Sequence, residues 1–228
     1  MRTVLQFSGG KDSLACLYLL RQQWDSLIVV WANAGNPYPD MLDFMERWQQ
    51  RIPNFVVVQG NQPENVKLHG WPSDIVPTRN TMMGKIINGT EGPLLQHYTD
   101  CCRMNLWEPM TFAMQQIQPN VIVRGQRVED DKKLPLRDGD VVDGITYRYP
   151  IQGWTTEEVF AYLRSVDADM PLGYDLGEKS GRDCWDCTAY LDENKQRIAN
   201  LPEDRKNEIK RRLGLIRDAV AAVDLECV

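Results

Sequence analysis

This 228-residue chain is short of several features that would assign a function class at once. It holds only two histidines, His69 and His97, and neither stands at a metal-ligand spacing. Loop or surface roles are expected for both. No apolar run reaches the length of a membrane span, so a transmembrane helix and a membrane partner are not expected. An excess of positive charge is missing too. The chain has 26 Lys and Arg against 32 Asp and Glu, a formal net charge of −6. That argues against a protein that coats nucleic acid through bulk charge. One local basic cluster, Arg205, Lys206, Lys210, Arg211 and Arg212, is expected to be the solvated face of a terminal helix. There is no internal repeat and no low-complexity linker, which points to a single domain. No secretory leader precedes the first strand, so the expected location is cytoplasmic. In that compartment six cysteines are not a disulfide framework. Clustered cysteines there turn toward metal or redox chemistry.

What is present begins near the amino terminus. Thr3-Val4-Leu5-Gln6-Phe7 reads as a short buried strand, and Leu14 to Leu20 as a helix. Between them lies Ser8-Gly9-Gly10-Lys11-Asp12-Ser13. Two glycines let the backbone bend sharply and approach a ligand closely. The free N–H groups and positive dipole end of the following helix then point at that ligand. Ser8 and Ser13 add hydroxyl groups and Lys11 a mobile positive charge. The expected guest is a phosphate or sulfate. The spacing is not that of the Walker loop, which needs four residues between its Gly and its Gly-Lys-Ser/Thr.

Further on, strands and helices alternate. Leu27 to Trp31 and Phe55 to Val58 are continuous apolar runs, as strands covered on both faces require. Asp40 to Gln50 carries Met41, Phe44, Met45 and Trp48 at helical spacing. Val121-Ile122-Val123 predicts a later strand, and Tyr147 to Ile151 another. Thr155 with Glu158 forms a capping box ahead of Val159, Phe160, Tyr162 and Leu163. Asp204 to Val223 predicts a long terminal helix. Gly60 to Thr99 has no clear period beyond a short helix near Met82–Asn88. The expected fold class is α/β, a parallel twisted sheet flanked by helices, with a helical C-terminal extension. Residues 1–190 are expected to form the α/β domain that carries the Ser8–Ser13 loop, and 191–228 a helical tail. Ligands in such sheets bind beyond the carboxyl ends of the strands, where the Ser8–Ser13 and Ala32–Asn36 loops lie.

The cysteines divide into an adjacent pair, Cys101 and Cys102, and a C-x-x-C, Cys184 and Cys187. Four thiolates can hold a zinc ion or an iron–sulfur cluster. Neighbouring residues seldom both reach one tetrahedral ion, whereas a cubane spreads its irons over a larger volume. Spacing tilts toward a cluster and leaves open a zinc site, a redox dithiol at Cys184 and Cys187, or unrelated core cysteines. Cys16, on the apolar side of the first helix, is expected in the core.

The Ser8–Ser13 loop resembles the PP-loop of the ATP pyrophosphatase superfamily, which includes the phosphoadenosine phosphosulfate (PAPS) reductase family. The cysteine pattern resembles the 4Fe-4S pattern of adenylyl-sulfate (APS) reductases within that family. Asp100-Cys101-Cys102-Arg103 with Glu108-Pro109-Met110, and Gly173-Tyr174 ahead of Cys184-Trp185-Asp186-Cys187-Thr188, are similar to its cysteine neighbourhoods. Ala34-Gly35 with Pro39-Asp40, Gly125 to Lys132, and Trp154 to Leu163 match further segments. Asn105 and Leu106 stand where the family often carries Arg-Lys.

The resemblance implies a Rossmann-like, adenine nucleotide alpha hydrolase-like fold. It implies an adenine nucleotide, APS, PAPS or ATP, held by Ser8, Gly9, Gly10, Lys11, Asp12, Ser13, Ala34, Gly35, Gly125 and Arg127. It implies a 4Fe-4S cluster on Cys101, Cys102, Cys184 and Cys187, and Mg2+ near Asp12 if the nucleotide is ATP. Lys11 and Asp12 are the candidate catalytic residues of the loop. Glu226-Cys227 resembles the family's Glu-Cys pair without its following Gly and His, which makes Cys227 a candidate nucleophile. A reductase would then take thioredoxin or glutaredoxin as partner. The Ser-Gly-Gly-Lys-Asp-Ser run also resembles members that use ATP, such as sulfate adenylyltransferase small subunits and DNA phosphorothioation proteins. A nucleotide- or redox-sensing module is the non-enzymatic alternative, and self-association stays open.

Overall fold

Strands two to six residues long alternate with helices, and that alternation sets the architecture. The computed structural model describes residues 2–89, 91–129, 136–179 and 181–223. In chain order the first half contains β1 (Thr3–Gln6), α1 (Lys11–Leu19), β2 (Ile28–Asn33), α2 (Pro39–Arg51), β3 (Phe55–Gln59), α3 (Gln62–His69), β4 (Trp71–Ser73), α4 (Met82–Asn88) and β5 (Leu95–His97). The second half contains α5 (Tyr98–Cys102), α6 (Glu108–Ile117), β6 (Val121–Val123), β7 (Val141–Val142), β8 (Ile145–Arg148), α7 (Thr156–Ser165), α8 (Leu191–Ala199) and α9 (Glu203–Ala221).

The main sheet has the order β3-β2-β1-β6-β8-β7. All neighbours are parallel except the β7–β8 pair. Leu5 of β1 lies opposite Val29 of β2 and Val123 of β6. The chain runs outward from β1 to β3, then returns to the other side of β1 at β6. The crevice beyond the carboxyl ends of β1 and β6 is therefore the switch point of the sheet, where α/β folds bind ligands.

Both faces of the central strands are covered, which explains their continuous apolar runs. On one face Leu5, Phe7, Val29 and Trp31 pack with Leu14 and Leu17 of α1, Phe44, Met45 and Trp48 of α2, and Val159 and Leu163 of α7. Trp48 centres an aromatic group, edge-on to Tyr18 at 5.6 Å and to Trp24 at 5.6 Å. On the opposite face Val4 and Val30 pack with Ala113 of α6. Leu201 and Ile209 join the first core, so α8 and α9 are built onto the same interior as the sheet. No helix among the described residues is long and apolar enough to cross a membrane.

Local chemistry accounts for most element ends. Pro39 opens α2 at its first turn, Thr81 caps α4, and Thr155 with Glu158 closes a capping box at α7. The strand expected over Tyr147–Ile151 is instead Ile145–Arg148, because Pro150 has no N–H to continue the ladder. The Gly60–Thr99 stretch resolves into α3, β4, α4 and β5, none longer than eight residues. Elements of that length leave no readable period. The β4–β5 pair forms a separate small parallel sheet.

Candidate functional site

The turn after β1 has the backbone of an anion cup. Gly9 sits at φ 77°, a region open to glycine, and Gly10 is the N-cap of α1. A Cβ on Gly9 would lie 2.5 Å from Met45 Cε and 3.0 Å from Met41 Sδ, so α2 presses the loop closed from behind. Ser8 Oγ accepts from Gly10 N at 3.3 Å and stands 3.2 Å from Ser13 Oγ. The first amides of a helix lack intrahelical acceptors. Here Lys11 N donates to Tyr174 Oη at 2.8 Å. Burial pushes the Tyr174 phenol up to about 12. Between the loop and Pro171, Gly173, Tyr174, Gly181 and Arg182 a cavity of about 10 Å³ remains, room for one water and not for a phosphate.

A chain of charges crosses the switch point. Lys11 Nζ lies 2.7 Å from Asp12 Oδ2, and Arg127 Nε lies 2.8 Å from Asp12 Oδ1. Arg127 Nη1 donates to Glu129 Oε2 at 2.7 Å and Thr156 Oγ1 at 3.1 Å. The Arg127 side chain is only 4% exposed, so it braces Asp12 from within the fold. Asp12 has a cation on each carboxylate oxygen, and a divalent ion held there would have to displace one of them.

Gly125 permits the close approach behind this chain. A Cβ there would fall 2.5 Å from Asp12 C and 2.6 Å from Ser13 N, both backbone atoms that cannot rotate away. Gly125→Ala is expected to shift the first turn of α1 and destabilise the fold by about 1–3 kcal/mol. Denaturant unfolding measures the loss, and wild-type stability in that variant would contradict the packing described.

The two cysteine segments of the sequence pattern both bond to the loops that follow β2 and β3. Asn61 N donates to Asn105 Oδ1 at 3.0 Å, and Asn105 Nδ2 donates to Cys101 O at 2.8 Å. The next residue, Gln62, donates through Nε2 to Asp186 Oδ1 at 3.1 Å, between Cys184 and Cys187. Both halves of the cysteine set are thus tied to the start of α3. Asn36 pairs with the second half as well: Trp185 N donates to Asn36 O at 3.1 Å and Trp185 Nε1 to Asn36 Oδ1 at 2.8 Å. Ala34 and Gly35 precede Asn36, with Gly35 at φ 105° packed against the Gly60 backbone. The loop therefore links the PP-loop side of the sheet to the cysteines.

Burial pushes the Cys101 thiol up to about 12, with Cys102, Cys187 and Asp186 adding to the rise. Burial raises Cys184 well above its ordinary value, with Asp183, Cys187, Asp186 and Cys101 contributing. Cys187 is raised chiefly by burial. Cys101, Cys184 and Cys187 are thus held in the neutral thiol form and are close enough to feel one another's charge. Among the described residues no three His, Cys, Asp or Glu side chains converge tightly enough for a single metal ion. The donor set is thiols only, Cys101 buried and the other three half-buried, with Asn105 Nδ2 3.9 Å from Cys101 Sγ.

Several expectations can now be located. Cys16 is fully buried in the core, and His69 and His97 are exposed. Cys227 and the Asp130–Lys132 end of the Gly125 motif lie outside the described residues. The basic cluster is not all solvated face. Lys210 and Arg211 are exposed, but Arg205 lies 4.7 Å over the Trp185 ring and Arg212 Nη1 is 3.1 Å from Asp186 Oδ2. Tyr174, Asn105 and Gln62 carry site geometry without having been singled out for it. Asn105 had a visible signal, standing next to the cysteine pair where the related pattern has arginine. It lies within a π-helical turn, Arg103–Trp107, a feature frequent at functional sites.

A family model described as the phosphoadenosine phosphosulfate reductase domain matches residues 2–189. The chain is 23% identical over 224 residues to an uncharacterized protein of Methanocaldococcus jannaschii, covering 94% of this chain and 49% of that one. It is 29% identical over 92 residues to the 7-cyano-7-deazaguanine synthase of Pyrococcus furiosus, covering 40% of this chain and 34% of that one. The chain thus spans half or less of the length of these curated relatives. Its fold is similar to the phosphoadenylyl-sulfate (PAPS) reductase of Candida auris in a phosphate complex. The TM-score is 0.55 at 16% identity, over 79% of this chain and 81% of that one.

Proposed function

Since the chain belongs to the phosphoadenosine phosphosulfate reductase domain family, within the PP-loop superfamily, we propose that it acts on an adenine nucleotide at the Ser8–Ser13 loop. The observation that carries this reading is the loop itself. Gly9 at φ 77°, the N-cap at Gly10 and the buried Lys11 stand where β1 runs into α1, at the switch point. The loop amides, the two serine hydroxyls and Lys11 hold the phosphate or sulfo oxygens. Arg127 acts through Asp12, which it fixes. Tyr174 gives up the Lys11 amide when an anion takes it, because the cavity between them is too small for a phosphate.

The finer reading is reductive sulfonucleotide chemistry. A cysteine thiolate, with Cys227 the candidate, attacks the sulfo sulfur of APS or PAPS. The S–O bond to the nucleotide breaks, AMP or its 3′-phosphorylated form leaves, and the sulfo group stays on the thiol. A dithiol such as thioredoxin or glutaredoxin then releases sulfite and is itself oxidised to the disulfide. Cys101, Cys102, Cys184 and Cys187 would hold a 4Fe-4S cluster. When bound, it supplies charge beside the nucleotide and joins the two cysteine segments.

The Lys11–Asp12 pair favours a second reading, adenylyl transfer from ATP with Mg2+, releasing pyrophosphate. One assay set separates the two on anaerobically purified protein. Sulfite released from APS or PAPS, and lost in Cys227→Ser, supports the reductase. Pyrophosphate released from ATP in the presence of an acceptor supports the transferase. Saturable binding with neither product would contradict both and leave a sensing module.

A further inference from the structure

The segment between Cys184 and Cys187 is gripped from two sides. On the inner side Asn36 takes both N–H groups of Trp185, and Gln62 donates to Asp186 Oδ1. On the outer side stands α9. Arg212 Nη1 donates to Asp186 Oδ2 at 3.1 Å, with the two side chains 16% and 9% exposed. Arg212 is held in that pose by Glu208, which accepts from its Nε at 2.8 Å, and by the Trp71 ring 5.5 Å below its guanidinium. Two turns earlier on the same face of the helix, Arg205 lies 4.7 Å over the Trp185 ring. Each of the two residues between the cysteines therefore carries its own arginine from α9. The helix is positioned independently by Ile209 and Ile216, which are buried.

We propose that α9 is a clasp on the C-x-x-C, with Arg205 and Arg212 as positioning residues that keep the Cys184 and Cys187 thiols turned inward and shielded. The physical ground is the asymmetry of a nearly buried ion pair. Asp186 with Arg212 is compensated, whereas Asp186 without it keeps only a neutral amide partner and is driven toward water. Movement of Asp186 toward solvent carries both neighbouring cysteines with it. Arg205 adds a face-on cation contact that an exposed arginine would not make. This deepens the reading of the cysteine site: a rise confined to Cys184 and Cys187 reads the clasp, whereas a rise shared by Cys101 and Cys102 reads loss of a bound metal, so the two fail separately.

Protein purified anaerobically is treated with iodoacetamide, and each cysteine is quantified by mass spectrometry over time. Cys16, fully buried in α1, serves as the internal gauge of global opening. In Arg212→Met the labelling rate at Cys184 and Cys187 is expected to rise by about tenfold or more, with Cys16 unchanged. Arg205→Met is expected to show a smaller rise at the same two cysteines. Arg212→Lys, which keeps the charge but not the planar fork, is expected to restore most of the protection. Labelling of Cys184 and Cys187 at wild-type rates in both methionine variants would overturn the clasp. So would a rise at Cys16 in step with the other two, since that reports loss of the whole fold.

Discussion

Lys11→Ala is expected to weaken adenine-nucleotide binding by about 10–100-fold, as loss of one charge-assisted contact of roughly 1.5–3 kcal/mol requires. The fold is expected to survive. Lys11 sits at the first turn of α1, a position alanine tolerates, and Asp12 keeps Arg127 at 2.8 Å when Lys11 is gone. Asp12→Asn is the less informative variant. It removes one of the two ion partners of an arginine that is 4% exposed, leaving Glu129, and is expected to cost stability as well as binding. Binding and stability would then fall together. Equilibrium titration alongside thermal unfolding separates them for Lys11→Ala. Unchanged affinity in that variant would remove the loop from the binding site.

Cys187→Ser is expected to abolish the iron content of the anaerobically purified protein, from about four irons in the wild type to fewer than one. Cys101, Cys184 and Cys187 are held protonated by burial, Cys101 up to about 12, so any metal must displace their protons to bind. Loading is accordingly expected to fall as the pH is lowered. A serine hydroxyl, far harder to ionise than a thiol, leaves one corner without a ligand. Iron count and the visible spectrum check this outcome. A colourless wild-type protein with one zinc would contradict the cluster and leave the nucleotide site untouched.

The order of strands and helices was legible because central strands buried on two faces must be apolar throughout, as Leu27–Trp31 and Phe55–Val58 are. The PP-loop was legible because its chemistry lies in six consecutive residues, Ser8 to Ser13. What stayed hidden depends on contacts between distant segments. Tyr174 meets Lys11 across 163 positions, and Gln62 meets Asp186 across 124. Nothing local to either residue announces its partner. The arginines of α9 show the same limit. Their charge pattern is that of a solvated helix face, and only the packing of Ile209 turns Arg205 and Arg212 onto the cysteine segment. The Gly60–Thr99 region was opaque for another reason, since three-residue strands carry too few side chains to show alternation.

The most direct measurement is calorimetric titration of the intact protein with ATP, APS and PAPS under anaerobic conditions. At least one of the three is predicted to bind saturably at a single site, with the heat signal strongly diminished in Lys11→Ala. Absence of saturable heat from all three would contradict an adenine-nucleotide site at the Ser8–Ser13 loop.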